Sequence, residues 1–267
     1  MTELPVHIDL HCDNHVHTCL CHHATGTMEE YVLAAIKKGL RRLVFLEHME
    51  SGIDYFDTTW LSERDFDDFF REGDRLRESY SGSLEIGLGV EVGFNPTCRD
   101  ELIERIGKRT WDQIGISYHY CRHPDFPCHL NLVSRKKWNI EAISQAGGDQ
   151  VLHHYFDTLI EAVHCLPGTL LCHLDAGLRY LPDLCFSQGH IDKVAALLDT
   201  VKAKGMSVEI NTSGIAIRGE PFPAAQFVKM AIDREISLAA SSDAHRPEDV
   251  GRYFDRLPDF LSAGIHP

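Results

Sequence analysis

His15-Val-His17 near the start of the 267-residue chain and Asp243-Ala-His245 near its end are two short chelating patterns. In each, the polar residues are two apart, so on extended backbone both side chains leave the same face. His23, His48, Glu91, His119 and His173 lie between them in sequence. Imidazole and carboxylate together suit zinc, manganese or iron rather than calcium or magnesium alone. At three or four protein ligands per catalytic metal, these nine residues provide for two or three divalent transition-metal ions, with a carboxylate bridging. Clustered metals lower the pKa of a shared water and bind several oxygens of a phosphoryl group at once. The expected chemistry is therefore metal-dependent hydrolysis, with a phosphate monoester as the substrate. A single His-x-His or a single strand-end histidine is a weak signal, since most such residues are structural; the ordered set carries the weight.

The set is ordered because of the elements that present it. Apolar, strand-like runs occur at Val6–Leu10, Leu43–Leu46, Leu84–Val90, Gln113–Tyr118, Leu170–Cys172, Met206–Ile210 and Ser237–Ala240. Helical spacing separates them. Thr27-Met-Glu-Glu30 reads as a capping box ahead of Tyr31, Ala34 and Ala35, with a stop near Gly39. Ser62–Tyr80, His190–Lys204, Pro223–Arg234 and Pro247–Phe260 are the other helical stretches. Strands alternating with helices imply parallel strands with right-handed crossovers. The expected fold is a distorted seven-stranded (β/α) barrel, with residues 1–267 forming a single domain; a doubly wound sheet is the alternative. The strand-like runs lead in order to His15 and His17, Glu47-His48, Glu91, His119, His173, Asn211, and Asp243 with His245. In parallel α/β architectures the C-terminal ends of the strands carry the active site.

Other histidines read as structural. His7 and His11 precede the first motif, His153, His154 and His164 sit in a helical pattern, and His190 reads as a helix start. Of the adjacent His22 and His23, one is expected to coordinate. Residues Cys121–Gln150 read as the longest irregular segment, an insertion over one rim.

Lys and Arg number 26 against 40 Asp and Glu, a net charge of −14. Nucleic acid and anionic membranes would be repelled at long range, so neither is expected as a partner. Part of the excess is explained if carboxylates hold cations. The segment MTELPVHIDL has neither the basic nor the apolar region of a signal peptide. No apolar run approaches the ~18 residues of a membrane span. A cytoplasmic protein is expected. The nine cysteines contain no Cys-x-x-Cys pair and read mostly as small buried apolar side chains, although Cys21 lies inside the His-rich stretch.

From His15 to about Leu257 the motif order resembles the PHP family, named for its polymerase-associated and histidinol-phosphatase members. That resemblance implies a distorted seven-stranded barrel with a trinuclear site held by His15, His17, His23, His48, Glu91, His119, His173, Asp243 and His245. The segment from His15 to Gly26 is similar to the histidinol-phosphatase version of the motif, whose spacing selects His23 over His22. By the same analogy Glu91 is the bridging carboxylate. Phe45-Leu-Glu-His48, His173-Leu-Asp-Ala-Gly-Leu-Arg-Tyr180 and Glu209-Ile-Asn-Thr-Ser-Gly214 with Arg218 resemble the monofunctional histidinol-phosphatases. The resemblance assigns the substrate phosphate to Arg179 and Arg218. It implies L-histidinol phosphate, a small-molecule phosphate ester, as the substrate. Glu47 and Asp175 are the candidate acids for the leaving oxygen, and with Glu209 they would form an acidic pocket for the substrate amine. Two departures stand out. Val92-Gly93 follows Glu91 where close relatives show an Asp two residues beyond the Glu, and Cys121–Gln150 matches poorly.

Three other readings bear weighing. An amidohydrolase-like C–N hydrolase also begins with His-x-His, but it would want a lysine or equivalent bridge near strand four and a lone late Asp. A nucleotide phosphatase of the same family is compatible with the charge. A metal-storage barrel would leave two phosphate-reading arginines idle.

Overall fold

The computed structural model describes residues 8–182 and 184–265. Seven parallel strands form one sheet in the order β1 (Cys12–Val16), β2 (Arg42–Met49), β3 (Glu85–Gly93), β4 (Gln113–Ser117), β7 (Leu170–Leu171), β8 (Ser207–Asn211) and β9 (Leu238–Ser241). The curled sheet nearly closes. Val16 bridges Ala244 in parallel, His17 N–H donates to the Ala244 carbonyl at 2.9 Å, and Asn14 Nδ2 donates to Ala240 O at 2.9 Å across the β1–β9 seam. Asp13 adds a buried latch there, accepting from Ser242 N at 2.9 Å, Ser242 Oγ at 2.5 Å and Gly251 N at 2.8 Å.

The helices are α1 (Met28–Lys37), α2 (Glu63–Ser79), α3 (Arg99–Gly107), α4 (Lys137–Gln145), α5 (Gly148–Cys165), α6 (Gln188–Ala203), α7 (Ser213–Arg218), α8 (Ala225–Asp233) and α9 (Leu257–Ile265). Capping boxes start three of them, at Thr27–Glu30, Ser62–Asp65 and Ser187–His190. Each box satisfies N–H groups that the first helical turn leaves unpaired. Among the described residues no helix is long and apolar enough to cross a membrane.

Alternation along the strands divides the side chains between two cores. Leu43, Phe45, Leu88, Val90, Val208 and Ile210 join the large apolar cluster. Val44, Leu46, Leu170 and Cys172 form a separate small cluster inside the barrel. Space there is tight: a Cβ at Gly89 would lie 2.7 Å from Leu46 Cδ1, and one at Gly115 would lie 2.6 Å from Cys172 Sγ. Above this floor the same alternation brings His48 and Glu91 into register on neighbouring strands. The barrel is thus plugged at one level and polar at the next.

Three expectations need correction. The first strand is Cys12–Val16 and not Val6–Leu10; residues 6 and 7, and so His7, lie outside the described residues. The expected helix Pro247–Phe260 breaks into two 3-10 turns, Pro247–Asp249 and Phe254–Arg256, before α9. Left-handed backbone at Gly251 (φ 59°) and Tyr253 (φ 58°) interrupts it. Cys121–Gln150 is irregular for only half its length, over 122–129, 132–136 and 146–147: the antiparallel hairpin of β5 (Tyr120–Cys121) and β6 (Leu130–Asn131) leads into α4 and the start of α5. Buried Asn139 clamps the hairpin, accepting from Asn131 N at 2.9 Å and donating to Asn131 O at 2.6 Å. Leu132 N–H donates to His119 O at 2.7 Å, which ties this wall to the barrel rim.

Candidate metal centre

Glu91, fully buried on β3, sits at the middle of the site. Its Oε1 faces His173 Nε2 at 2.8 Å and His119 Nε2 at 3.1 Å. Its Oε2 faces His48 Nδ1 at 2.9 Å, His15 Nε2 at 3.4 Å and His17 Nε2 at 3.7 Å. One carboxylate therefore divides its two oxygens between two sets of imidazoles, the arrangement of a bridging ligand. His17 Nε2 also lies 3.4 Å from Asp243 Oδ1, and His23 Nε2 lies 2.9 Å from His245 Nε2. His17, His48 and His245 form one compact donor group and His15, His17 and Asp243 another. All nine expected ligands come together at the C-terminal ends of the strands.

The local backbone is built for this convergence. His22 takes left-handed backbone (φ 64°) after the 3-10 turn Cys19–Cys21, turning the chain so that His23 reaches His245. His173 (φ 24°) and Asp243 (φ 49°) also sit in the positive-φ region. Each such residue costs about 1–3 kcal/mol and persists where the surroundings over-determine it, commonly at functional sites.

Outer contacts fix how the rings point. His15 Nδ1 meets Glu209 Oε1 at 2.7 Å, and Glu209 Oε2 accepts from His173 N at 2.6 Å. Asn211 Nδ2 donates to Glu209 and to Asp243 Oδ2, both at 3.2 Å. His119 Nδ1 meets Glu50 Oε1 at 2.9 Å. His23 Nδ1 faces Cys21 O at 2.9 Å, and His245 Nδ1 faces Asp243 O at 3.0 Å.

The last two contacts test whether the residues fit a metal. A carbonyl oxygen only accepts, so both Nδ1 atoms carry the proton. Desolvation holds His23 below the ordinary histidine range; burial, then the charge of His17, holds His245 well below it. Both rings are therefore neutral at pH 7, and their Nε2 atoms present lone pairs to each other at 2.9 Å. Two acceptors at that separation repel, and a cation shared between them removes the conflict. Glu91 points the same way. Burial opposes its charge, but the imidazoles of His119, His48 and His15 hold its carboxyl well below the usual range. Asp243 is likewise held well below, by the hydrogen bond from His17 and the charge of His15, against its burial. The donor set fits transition-metal ions. Cys21 also lies among these donors, close to His23 and His245, and burial raises its thiol in the metal-free chain.

A cavity of about 630 Å³ opens onto the centre through His23, His48, His119, Asp243 and His245. Its walls carry Arg135, Lys136, Arg179, Arg246 and Arg252, together with Tyr55, Tyr120 and Asn131 from the hairpin side. Arg179 Nε is buried without an acceptor. A second hollow of about 570 Å³, lined by Arg41, Arg77, Ser83 and Glu85, lies where β2 and β3 begin and holds none of these residues. The first is the one that matters chemically, because it meets the histidines.

The structure gives Glu47, Asp175, Glu209 and Arg218 other work than expected. Glu47 is fully buried; its Oε1 accepts from Thr18 N at 2.8 Å and Thr18 Oγ1 at 2.5 Å, behind His17. Asp175 accepts from Arg218 Nη1 and Ala224 N, each at 2.9 Å. Arg218 also stacks over Phe222 at 4.2 Å, and neither it nor Asp175 lines the cavity. Glu209 is spent on His15 and His173, so the expected acidic amine pocket is not formed by these three carboxylates. Sequence reasoning did not single out Glu50, Arg246 or Arg252. Glu50 stands two residues beyond His48, on the same face of an extended chain, and that spacing was the available signal.

The PHP domain family matches residues 13–213. A protein of Deinococcus radiodurans named probable histidinol-phosphatase is 30% identical over 261 residues, covering 95% of this chain and 94% of the relative. The histidinol-phosphatase of Bacillus subtilis is 26% identical, over 91% of this chain and 96% of the relative. Among solved structures, the histidinol phosphate phosphatase of Lactococcus lactis, complexed with zinc, L-histidinol and phosphate, matches with a TM-score of 0.77 at 17% identity. That match covers 95% of this chain and 93% of the other, and shows a shared fold. With the family model matching residues 13–213 and a relative 30% identical over 95% of its length, the chain belongs to the PHP domain family.

Proposed function

We propose that the chain is a metal-dependent phosphomonoesterase that hydrolyses L-histidinol phosphate to L-histidinol and phosphate. The observation that carries the reading is Glu91, whose two oxygens serve two imidazole sets beneath a cation-walled cavity. His15, His17, His23, His48, Glu91, His119, His173, Asp243 and His245 hold two or three divalent ions, drawn from zinc, manganese and iron. When bound, such ions supply Lewis acidity at the phosphoryl oxygens and lower the pKa of water. The protein's part is to place the ester. Five Arg and Lys side chains concentrate positive potential at the cavity of a chain whose net charge is −14, which draws an anionic substrate inward. Arg179 gives a charge-assisted hydrogen bond to a phosphate oxygen, ending the isolation of its buried Nε. Tyr55, Tyr120 and Asn131 offer ring faces and hydrogen-bonding groups suited to an imidazole.

A phosphate-release screen on protein reconstituted separately with each metal tests this. A site that hydrogen-bonds its substrate's polar groups rejects esters that lack them. kcat/KM for L-histidinol phosphate exceeds that for p-nitrophenyl phosphate by at least about a hundredfold, as two polar contacts of ~1–3 kcal/mol imply. Equal rates on the two esters, or preference for a nucleotide, would remove the substrate assignment.

A further inference from the structure

Gly93 ends β3, two residues beyond Glu91, and its position is empty of side chain for a specific reason. A Cβ placed there would lie 1.9 Å from Glu50 Oε1 and 2.2 Å from both Glu50 Cδ and Glu50 Oε2. The carboxylate of Glu50 fills the space that a side chain at 93 would occupy. Gly93 is absent from the positive-φ positions, so the backbone does not call for glycine; the close approach does.

Glu50 follows directly after β2 and is 3% exposed. Its Oε1 lies 2.9 Å from His119 Nδ1, while His119 Nε2 faces Glu91 Oε1 at 3.1 Å. The Glu50 backbone is itself held, since Arg105 Nη1 donates to Glu50 O at 2.6 Å and to Ser51 Oγ at 3.0 Å. A carboxylate only accepts when ionised, so this contact puts the His119 proton on Nδ1 and turns the Nε2 lone pair toward the metal centre. His119 lies past the end of β4, outside strand pairing, and its ring orientation needs such a partner.

We propose that Glu50 is the positioning residue for His119, and that Gly93 is glycine in order to admit it. The carboxylate that orients this ligand comes from the residue after β2 and lies in the space that a side chain at position 93, on the neighbouring strand, would take. Positions 50 and 93 thus compete for one carboxylate-sized space, and either can supply it. The inference rests on the metal-centre reading above.

The test is zinc binding by metal-free protein, titrated against a chromophoric chelator, for wild type, Glu50→Ala, Glu50→Gln, Gly93→Ala and the double variant E50G/G93D. Circular dichroism and thermal melts of each sample confirm folding. Glu50→Ala weakens one ion by roughly ten- to a hundredfold and leaves the tighter ions alone, the scale of losing a ligand's outer partner. Glu50→Gln keeps an acceptor and recovers most of that loss. Gly93→Ala mimics Glu50→Ala, because its methyl group displaces the carboxylate. E50G/G93D restores binding to within a fewfold of wild type. Wild-type affinity in Glu50→Ala or Gly93→Ala would overturn the proposal. So would a folded double variant that binds no better than Glu50→Ala. If wild type itself binds no zinc, the metal-centre reading fails instead.

Discussion

Arg179 and Arg218 show how residues with the same expected role separate once their neighbours are known. Both have a buried Nε without an acceptor, but Arg179 lines the cavity, while Arg218 is tied through its Nη atoms to buried Asp175 and stacked on Phe222. Arg179→Ala should lower kcat/KM about ten- to a hundredfold, the worth of a charge-assisted contact of roughly 1.5–3 kcal/mol, with metal content unchanged. Arg218→Ala should instead cost stability, roughly 3 kcal/mol in a denaturant titration, because it strands the Asp175 carboxylate. Wild-type turnover in Arg179→Ala, or a wild-type denaturation midpoint in Arg218→Ala, would reverse the respective assignment. The imidazoles make a second prediction. In metal-free protein the charges of Glu91 and Glu50, working against burial, lift His119 to about 10. A histidine raised in the folded state contributes stability that is complete below its unfolded value near 6.5 and lost as pH rises through the folded value. The melting temperature of chelated protein should therefore fall between pH 6.5 and 10, and a flat profile across that window would contradict it. Metal-loaded protein should lack this slope, since the ring is then already deprotonated and bound.

Elements were legible in the sequence where their periodicity had no competitor. Leu43–Leu46, Gln113–Tyr118 and Ser237–Ala240 are apolar enough to announce strands, and the Thr27 capping box announces α1. β1 was misplaced because its residues, Cys-Asp-Asn-His-Val, are polar where the barrel closes. Asp13 and Asn14 are spent on the seam with β9, a tertiary purpose that hydrophobic patterning does not register. The hairpin was missed because each of its strands is two residues long. Helix-to-sheet packing offers a test on this scale. Gly73 in α2 has no room for a methyl group, whose position would fall 2.4 Å from Leu88 Cδ2 on β3. Alanine is the better helix former by ~1 kcal/mol, but overpacking a filled core costs ~1–3 kcal/mol. Gly73→Ala should therefore be destabilising by about 1 kcal/mol in a denaturant titration; a stabilised variant would show that Leu88 can yield.

For the molecule as a whole, the convergence of the nine candidate ligands is readable because a parallel barrel sends every strand end to one face, so sequence order converts into proximity. Their supports were not readable in the same way. Glu50, Glu209 and Glu47 look alike in sequence, and only packing shows that the first two steady His119, His15 and His173 while the third binds Thr18 behind His17. The phosphatase activity proposed above requires a multinuclear centre. Its most direct test is to follow phosphate release from L-histidinol phosphate while metal-free protein is loaded stepwise, with ions per chain counted by elemental analysis. The bridging position of Glu91 predicts little turnover at one ion per chain and saturation at two to three. Full activity at a single ion, or release that proceeds with no ion bound, would contradict it.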